Sequence, residues 1–106
     1  MGFFDIFKTP DINEGVKTFN ESKNAFLIDV RSAAEYNTGH VPGSCNVPVE
    51  SIGRIEAVVP DKDAKLFVYC LSGGRSGRAV SAMKHMGYTD VTNIGGIASY
   101  RGKVEK

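Results

Sequence analysis

Lys65-Leu66-Phe67-Val68-Tyr69-Cys70 runs straight into Leu71-Ser72-Gly73-Gly74-Arg75-Ser76, and the junction between the two halves decides the fold class. The first half carries no charge after Lys65 and is too short for a helix of its own, so it reads as a strand buried on both faces. The second half breaks the run with two adjacent glycines. From Arg75 to Met86 the period becomes helical, with Ala79, Val80, Met83 and Met86 on one face and Gly87 placed as a left-handed cap.

Working upstream, Phe26-Leu27-Ile28-Asp29-Val30 is a second short apolar run and predicts a second buried strand. Before it, Thr9-Pro10 has the form of an N-cap followed by proline at the first helical position, and Ile12, Val16 and Phe19 recur at helical spacing. After it, Ser32-Ala33-Ala34-Glu35 has the capping-box pattern, which starts a short helix that should stop by Gly39. Ser44 to Val47 fits a short strand between Pro42-Gly43 and Pro48. Ile52, Ile55 and Val59 then mark a helical stripe ended by Pro60. Downstream, Val91-Thr92-Asn93-Ile94 reads as a strand before Gly95-Gly96. Strands alternating with helices, two of the strands almost wholly apolar, predict an α/β fold: a central, mainly parallel sheet flanked by helices on both faces.

With 106 residues, 42% hydrophobic and 24% charged, the chain is expected to form one domain over residues 1–106. Thirteen basic against twelve acidic residues give a net charge of +1, so no global field points to nucleic acid, an anionic membrane or an acidic partner. No apolar run approaches the roughly 18 residues that span a bilayer. Met1-Gly2-Phe3-Phe4-Asp5-Ile6-Phe7-Lys8 is aromatic and expected as a peripheral segment on the domain's edge, with a partner or membrane-surface contact as the alternative. Ile6 breaks the myristoylation pattern, and nothing there reads as a signal peptide. Two cysteines, Cys45 and Cys70, make no disulfide framework, which suits a reducing, cytoplasmic compartment. Two cysteines and two histidines spread along the chain argue against a metal site.

The chemistry centres on Cys70, because ligand sites of open α/β sheets lie at strand ends. Gly73 and Gly74 let successive N–H groups converge, and the helix N-terminus behind them adds its positive end, making an anion cradle. A cysteine at its base should titrate below its free value of about 8.5, with Arg75 reinforcing the shift if it points inward. Arg78 either widens the positive patch or lies on a solvated helix face. The plain alternative is that Cys70 merely ends a core strand. Against it stand two glycines and two arginines that a purely structural connection does not need.

These residues resemble the rhodanese-like sulfurtransferases, over the chain from about Thr9 to Gly102. Asp29-Val30-Arg31 with Glu35-Tyr36 is similar to a first signature of that family, and Gly39-His40-Val41-Pro42-Gly43-Ser44 with Asn46-Val47-Pro48 to a second. The Cys70 loop is the third, and Gly95-Gly96-Ile97 the fourth, with Tyr100 where a tryptophan is common. The resemblance implies a persulfide relay in which Cys70 is the nucleophile and Leu71, Ser72, Gly73, Gly74, Arg75 and Ser76 bind the transferred sulfur. A sulfane-sulfur donor such as thiosulfate and a thiol or cyanide acceptor are the implied partners, and no cofactor is called for. Ser76 is a candidate hydroxyl donor, or a helix cap. Thiosulfate-specialised members carry basic side chains where this chain has Leu71 and Ser72, which predicts modest use of thiosulfate.

Asp29, Arg31 and Glu35 are expected to form a structural polar cluster, and His40, inside a turn signature, to make structural hydrogen bonds rather than act as a base. Cys45 is expected to pack as a small hydrophobe, with a resolving thiol as the alternative. Two rival functions remain. Phosphatases of the same fold have a loop one residue longer, with arginine one position further from the cysteine than Arg75 is from Cys70. A sulfur carrier that docks on a protein acceptor and turns over poorly alone would suit the apolar Leu71 and the aromatic N-terminus.

Overall fold

A computed structural model describes residues 10–106. Its strands are β1 (Ala25–Asp29), β2 (Ser44–Asn46), β3 (Lys65–Cys70) and β4 (Asp90–Gly96), in the sheet order β2-β1-β3-β4 with every neighbouring pair parallel. The helices are α1 (Ile12–Glu21), α2 (Ala33–Thr38), α3 (Ile55–Val58) and α4 (Gly74–His85), with 3-10 turns at Val49–Arg54 and Ile97–Ser99. The expected parallel α/β sheet is therefore present. Its two inner strands are the two apolar runs, since only inner strands must be apolar on both faces.

Alternate residues of these strands build two cores. Ile28, Leu66, Val68 and Cys70 pack with Ile55, Val59, Ala79, Val80 and Met83 of α3 and α4 and their flanks. Leu27, Phe67, Tyr69 and Ile94 pack on the other face with Ile12 and Val16 of α1. Phe19 meets Phe67 edge to face, ring centroids 6.2 Å apart. From Leu66 to Cys70 no residue is more than 6% exposed, and each large apolar side chain so buried contributes about 1.5–3 kcal/mol. The alternation also places the Cys70 side chain on the α4 side, under the N-terminus of that helix.

The capping box forms as the spacing predicts. The Glu35 N–H donates to Ser32 Oγ at 3.2 Å, the Ser32 N–H donates back to Glu35 Oε1 at 3.0 Å, and α2 stops before Gly39. At α1 the start differs. Asp11 is the N-cap, accepting the Asn13 N–H at 3.0 Å, and Pro10 precedes the helix instead of opening it. A carboxylate two residues before the Asn13 amide supplies the cap directly, whereas Thr9 and the aromatic segment lie outside the described residues. The stripe of Ile52, Ile55 and Val59 keeps its inward face on a 3-10 turn that passes into the single turn of α3, with Ser51 non-helical inside the 3-10 turn.

Two further differences come from topology. Cys45 is exposed and does not pack as a small hydrophobe, because β2 is a three-residue edge strand with neighbours on one side only. β4 continues through Gly95-Gly96, and a shift of register opposite Val68 and Tyr69 inserts Ile94 as an extra residue. That bulge sends Ile94 to the α1 core while Asn93 reaches the loop that follows Cys70. Among the described residues no helix is long and apolar enough to cross a membrane.

Candidate active site

Cys70 is the last residue of β3 and only 1% exposed. Its sulfur accepts the Gly73 N–H at 3.0 Å and lies 3.4 Å from the Ser76 hydroxyl. Gly73 makes this possible through its backbone. At φ +106 it occupies the left-handed region that side chains disfavour, so the chain doubles back and its own amide faces the sulfur. It is also the N-cap of α4, whose first amides open above the thiol. Gly74, by contrast, has no atom within 4 Å of a Cβ built on it, so its lack of a side chain leaves the rim open.

Burial pushes the Cys70 thiol up, but the Ser76 hydroxyl and the amides of Ser76, Gly73 and Ser72 outweigh it, and the net shift is downward. Hydrogen bonds to the charged form favour the thiolate. The Ser76 hydroxyl owns a single hydrogen and has Asn93 Oδ1 at 2.8 Å and Gly73 O at 3.1 Å as well as the sulfur. Ionisation of Cys70 supplies the stronger acceptor and draws that hydrogen to the sulfur.

Asn93 is the residue that sequence reasoning missed. Its Oδ1 accepts the Ser76 hydroxyl and the Gly95 N–H, while its Nδ2 donates to Gly73 O at 3.2 Å. One side chain thus fixes the loop's glycine, the hydroxyl beside the sulfur and the end of β4. The Gly95 amide can only donate, which settles the orientation of the Asn93 amide group. The Gly-Gly pair serves the same loop by leaving space. A Cβ on Gly96 would sit 2.0 Å from Leu71 O, so the backbone of the loop rests directly on the backbone of β4. Ala98 N–H then holds Leu71 O at 3.0 Å.

The Arg75 guanidinium does not turn onto Cys70. It forms a bidentate bridge to Glu35, with Nη1–Oε1 at 2.8 Å and Nη2–Oε2 at 3.0 Å. Arg75 first and the Ser32 amide second hold the Glu35 carboxyl down to about 2. Arg78 is exposed on α4. Leu71 and Ser72 form the outer rim, and Leu71 is 45% exposed.

The expected polar cluster divides in two. Arg31 pairs with buried Asp29 at 2.8 Å and donates to Gly39 O at 2.7 Å, while Asn46 ties down the carbonyls of Asp29 and Arg31. Glu35 leaves that pair and serves Arg75. His40 stacks on Tyr36 with centroids 3.7 Å apart, lies 3.0 Å from Tyr36 O through Nδ1, and exchanges backbone hydrogen bonds with Glu105. Tyr69 accepts the Val41 N–H through its hydroxyl and so fastens the Gly39–Ser44 turn to β3. Among the described residues no group of three or more His, Cys, Asp or Glu side chains is placed to hold a metal ion.

The sequence model of the rhodanese-like domain matches residues 13–103. Thiosulfate sulfurtransferase PspE of Escherichia coli K12 is 44% identical over 71 residues, covering 66% of this chain and 68% of that protein. The solved structure described as rhodanese with anions from E. coli superposes with a TM-score of 0.73 at 38% identity, over 77% of this chain and 98% of that one. Human single domain sulfurtransferase TSTD1 gives a TM-score of 0.71 at 25% identity, over 87% and 95% of the two chains. Several other curated relatives are longer proteins, of which this chain spans 25–30%.

Proposed function

Since the chain belongs to the rhodanese-like domain family and is a sulfurtransferase, we propose that Cys70 carries the transferred sulfur as a persulfide. The observation behind this is the pair of donors on one sulfur, Gly73 N–H and the Ser76 hydroxyl, which favour a thiolate at a buried position. The thiolate attacks the outer sulfur of a sulfane donor such as thiosulfate. A new S–S bond forms at Cys70, the donor's S–S bond breaks, and sulfite departs with its electron pair. An acceptor thiolate or cyanide then takes the outer sulfur, and Cys70 leaves as thiolate. No base is needed, and the two displacements give ping-pong kinetics.

The amides from Leu71 through Ser76 hold the charge on the persulfide as an oxyanion hole holds oxygen. With Cys70 1% exposed, a donor reaches it by extending one slender atom into this ring. Intact mass after exposure to thiosulfate and to a small persulfide tests the assignment in a Cys45→Ser background. One added sulfur per chain is expected, together with an alkylation midpoint below that of a free cysteine; a protein that never loads from either donor overturns the proposal.

A protein acceptor is favoured by one observation, the apolar Leu71 standing 45% exposed beside the site. The same position limits thiosulfate, a dianion that meets no basic side chain at Leu71 or Ser72. Leu71→Arg should therefore improve thiosulfate turnover by lowering KM. A charge-assisted hydrogen bond there is worth on the order of 1–3 kcal/mol, up to about a hundredfold in kcat/KM, and the gain should shrink with salt. A steady-state series at two salt concentrations checks it. We place this chemistry in a reducing, cytoplasmic compartment, with the exposed free thiol of Cys45 in support.

A further inference from the structure

We propose that Glu35 is a specificity-determining residue: by gripping Arg75 it cancels the loop's own positive charge and tunes the site against small dianionic donors. The inference rests on the reading of Cys70 as the nucleophile. Arg75 is the first basic residue after Cys70 in sequence, and it stands within the loop. Its guanidinium is nevertheless committed, through two parallel hydrogen bonds of 2.8 and 3.0 Å, to a carboxylate forty residues away in sequence. Fork-to-fork pairs of this kind fix direction as well as charge.

The carboxylate is itself held in place. Glu35 Oε1 also accepts the Ser32 N–H and the Ser32 hydroxyl, each at 3.0 Å, so the capping box sets the position from which Glu35 reaches Arg75. Both side chains keep about a third of their surface in water, which leaves Arg75 room to swing if released. What then surrounds Cys70 is a ring of neutral donors, Gly73 N–H and the Ser76 hydroxyl, with Leu71 and Ser72 on the rim. Such a ring recognises one sulfur and its single charge. It offers no counter-charge to the second charge of thiosulfate, and so favours a thiol-derived persulfide as donor.

Glu35→Gln separates charge from structure, because glutamine keeps the capping box and one contact to Arg75 while removing the countercharge. In a Cys45→Ser background, the rate of Cys70 alkylation by iodoacetate, an anion, is compared with that by neutral iodoacetamide. Glu35→Gln should raise the iodoacetate-to-iodoacetamide ratio about threefold to tenfold and lower the thiosulfate KM by a similar factor, with kcat little changed. The double variant Glu35→Gln/Arg75→Gln should return both to the wild-type level or below. An unchanged ratio in folded Glu35→Gln overturns the proposal, and so does a raised ratio that survives in the double variant, which would assign the effect to the carboxylate's own field. If Glu35→Gln fails to fold, Glu35→Asp, too short for the bidentate bridge, takes its place: a partial rise supports the proposal and none overturns it. Sulfur loading of the parent protein is read by intact mass in the same samples. A parent that loads while the ratio stays fixed sinks the role of Glu35 alone. A parent that never loads while the ratio rises sinks sulfur transfer and leaves the control of Arg75 standing.

Discussion

Cys70→Ser should abolish sulfur loading while leaving the fold in place. The hydroxyl is smaller than the thiol but still accepts the Gly73 N–H, which in the native protein lies 3.0 Å from the sulfur, so no buried donor is orphaned. As a nucleophile it fails, since a serine hydroxyl is almost entirely protonated at neutral pH and nothing beside it serves as a base. His40 is occupied with Tyr36 and Glu105. A loss of loading of more than about a thousandfold is expected by intact mass, and retained loading would move the chemistry to Cys45. The same variant has a signature in stability. Because the folded-state midpoint of Cys70 is depressed, its thiolate adds stability as pH rises from that midpoint toward the unfolded value near about 8.5, and the whole of it is present above. Below the folded midpoint it is lost. Melting temperatures of native and Cys70→Ser protein should therefore diverge further at about pH 9 than at about pH 6; a constant gap would mean the thiol is not shifted.

Local sequence made the inner strands and the cradle legible, and hid whatever depends on which elements become neighbours. β1 and β3 announce themselves because burial on both faces leaves them no polar residue except at the strand ends, where Asp29 pairs with Arg31. The capping box is legible because both of its partners lie within one turn. The Glu35–Arg75 bridge is not, since each residue already has a sufficient local reading: one as a cap, the other as part of an anion loop. Only the folded chain, which brings the first turn of α2 within side-chain reach of Arg75 at the start of α4, joins them. The exposure of Cys45 is hidden for the same reason, as an apolar residue in a short strand is buried or exposed according to whether that strand lies inside the sheet or at its edge. Asn93 left a faint trace, a polar residue on a covered face two positions before the first of two glycines. The bulge that turns it toward Gly73 and Ser76 is a property of strand pairing, which periodicity does not carry.

Gly96→Ala should damage the site more than a single methyl group suggests. Gly96 has extended backbone, φ −135 and ψ 144, which any residue adopts, so its reason is space alone. The added Cβ would lie 2.0 Å from Leu71 O, 2.4 Å from Leu71 C and 2.5 Å from Ser72 Cα, all backbone atoms that no rotamer change can move aside. Relief requires Leu71-Ser72 to lift from the end of β4 by about 1 Å or more, against the Ala98 N–H that grips Leu71 O. The cost is of the order of overpacking a core, about 1–3 kcal/mol. The larger consequence is chemical. Gly73 follows Ser72 directly, so a displacement of that size carries its N–H out of range of Cys70 Sγ and disturbs the amides that favour the thiolate. Misplacement on this scale costs about a hundredfold in rate. Gly96→Ala should thus show a raised alkylation midpoint and slow sulfur loading in protein that remains folded, whereas Gly53→Ala, with open space around its Cβ, should match the native protein in both. A native alkylation midpoint in Gly96→Ala would show that the loop holds its shape without support from β4.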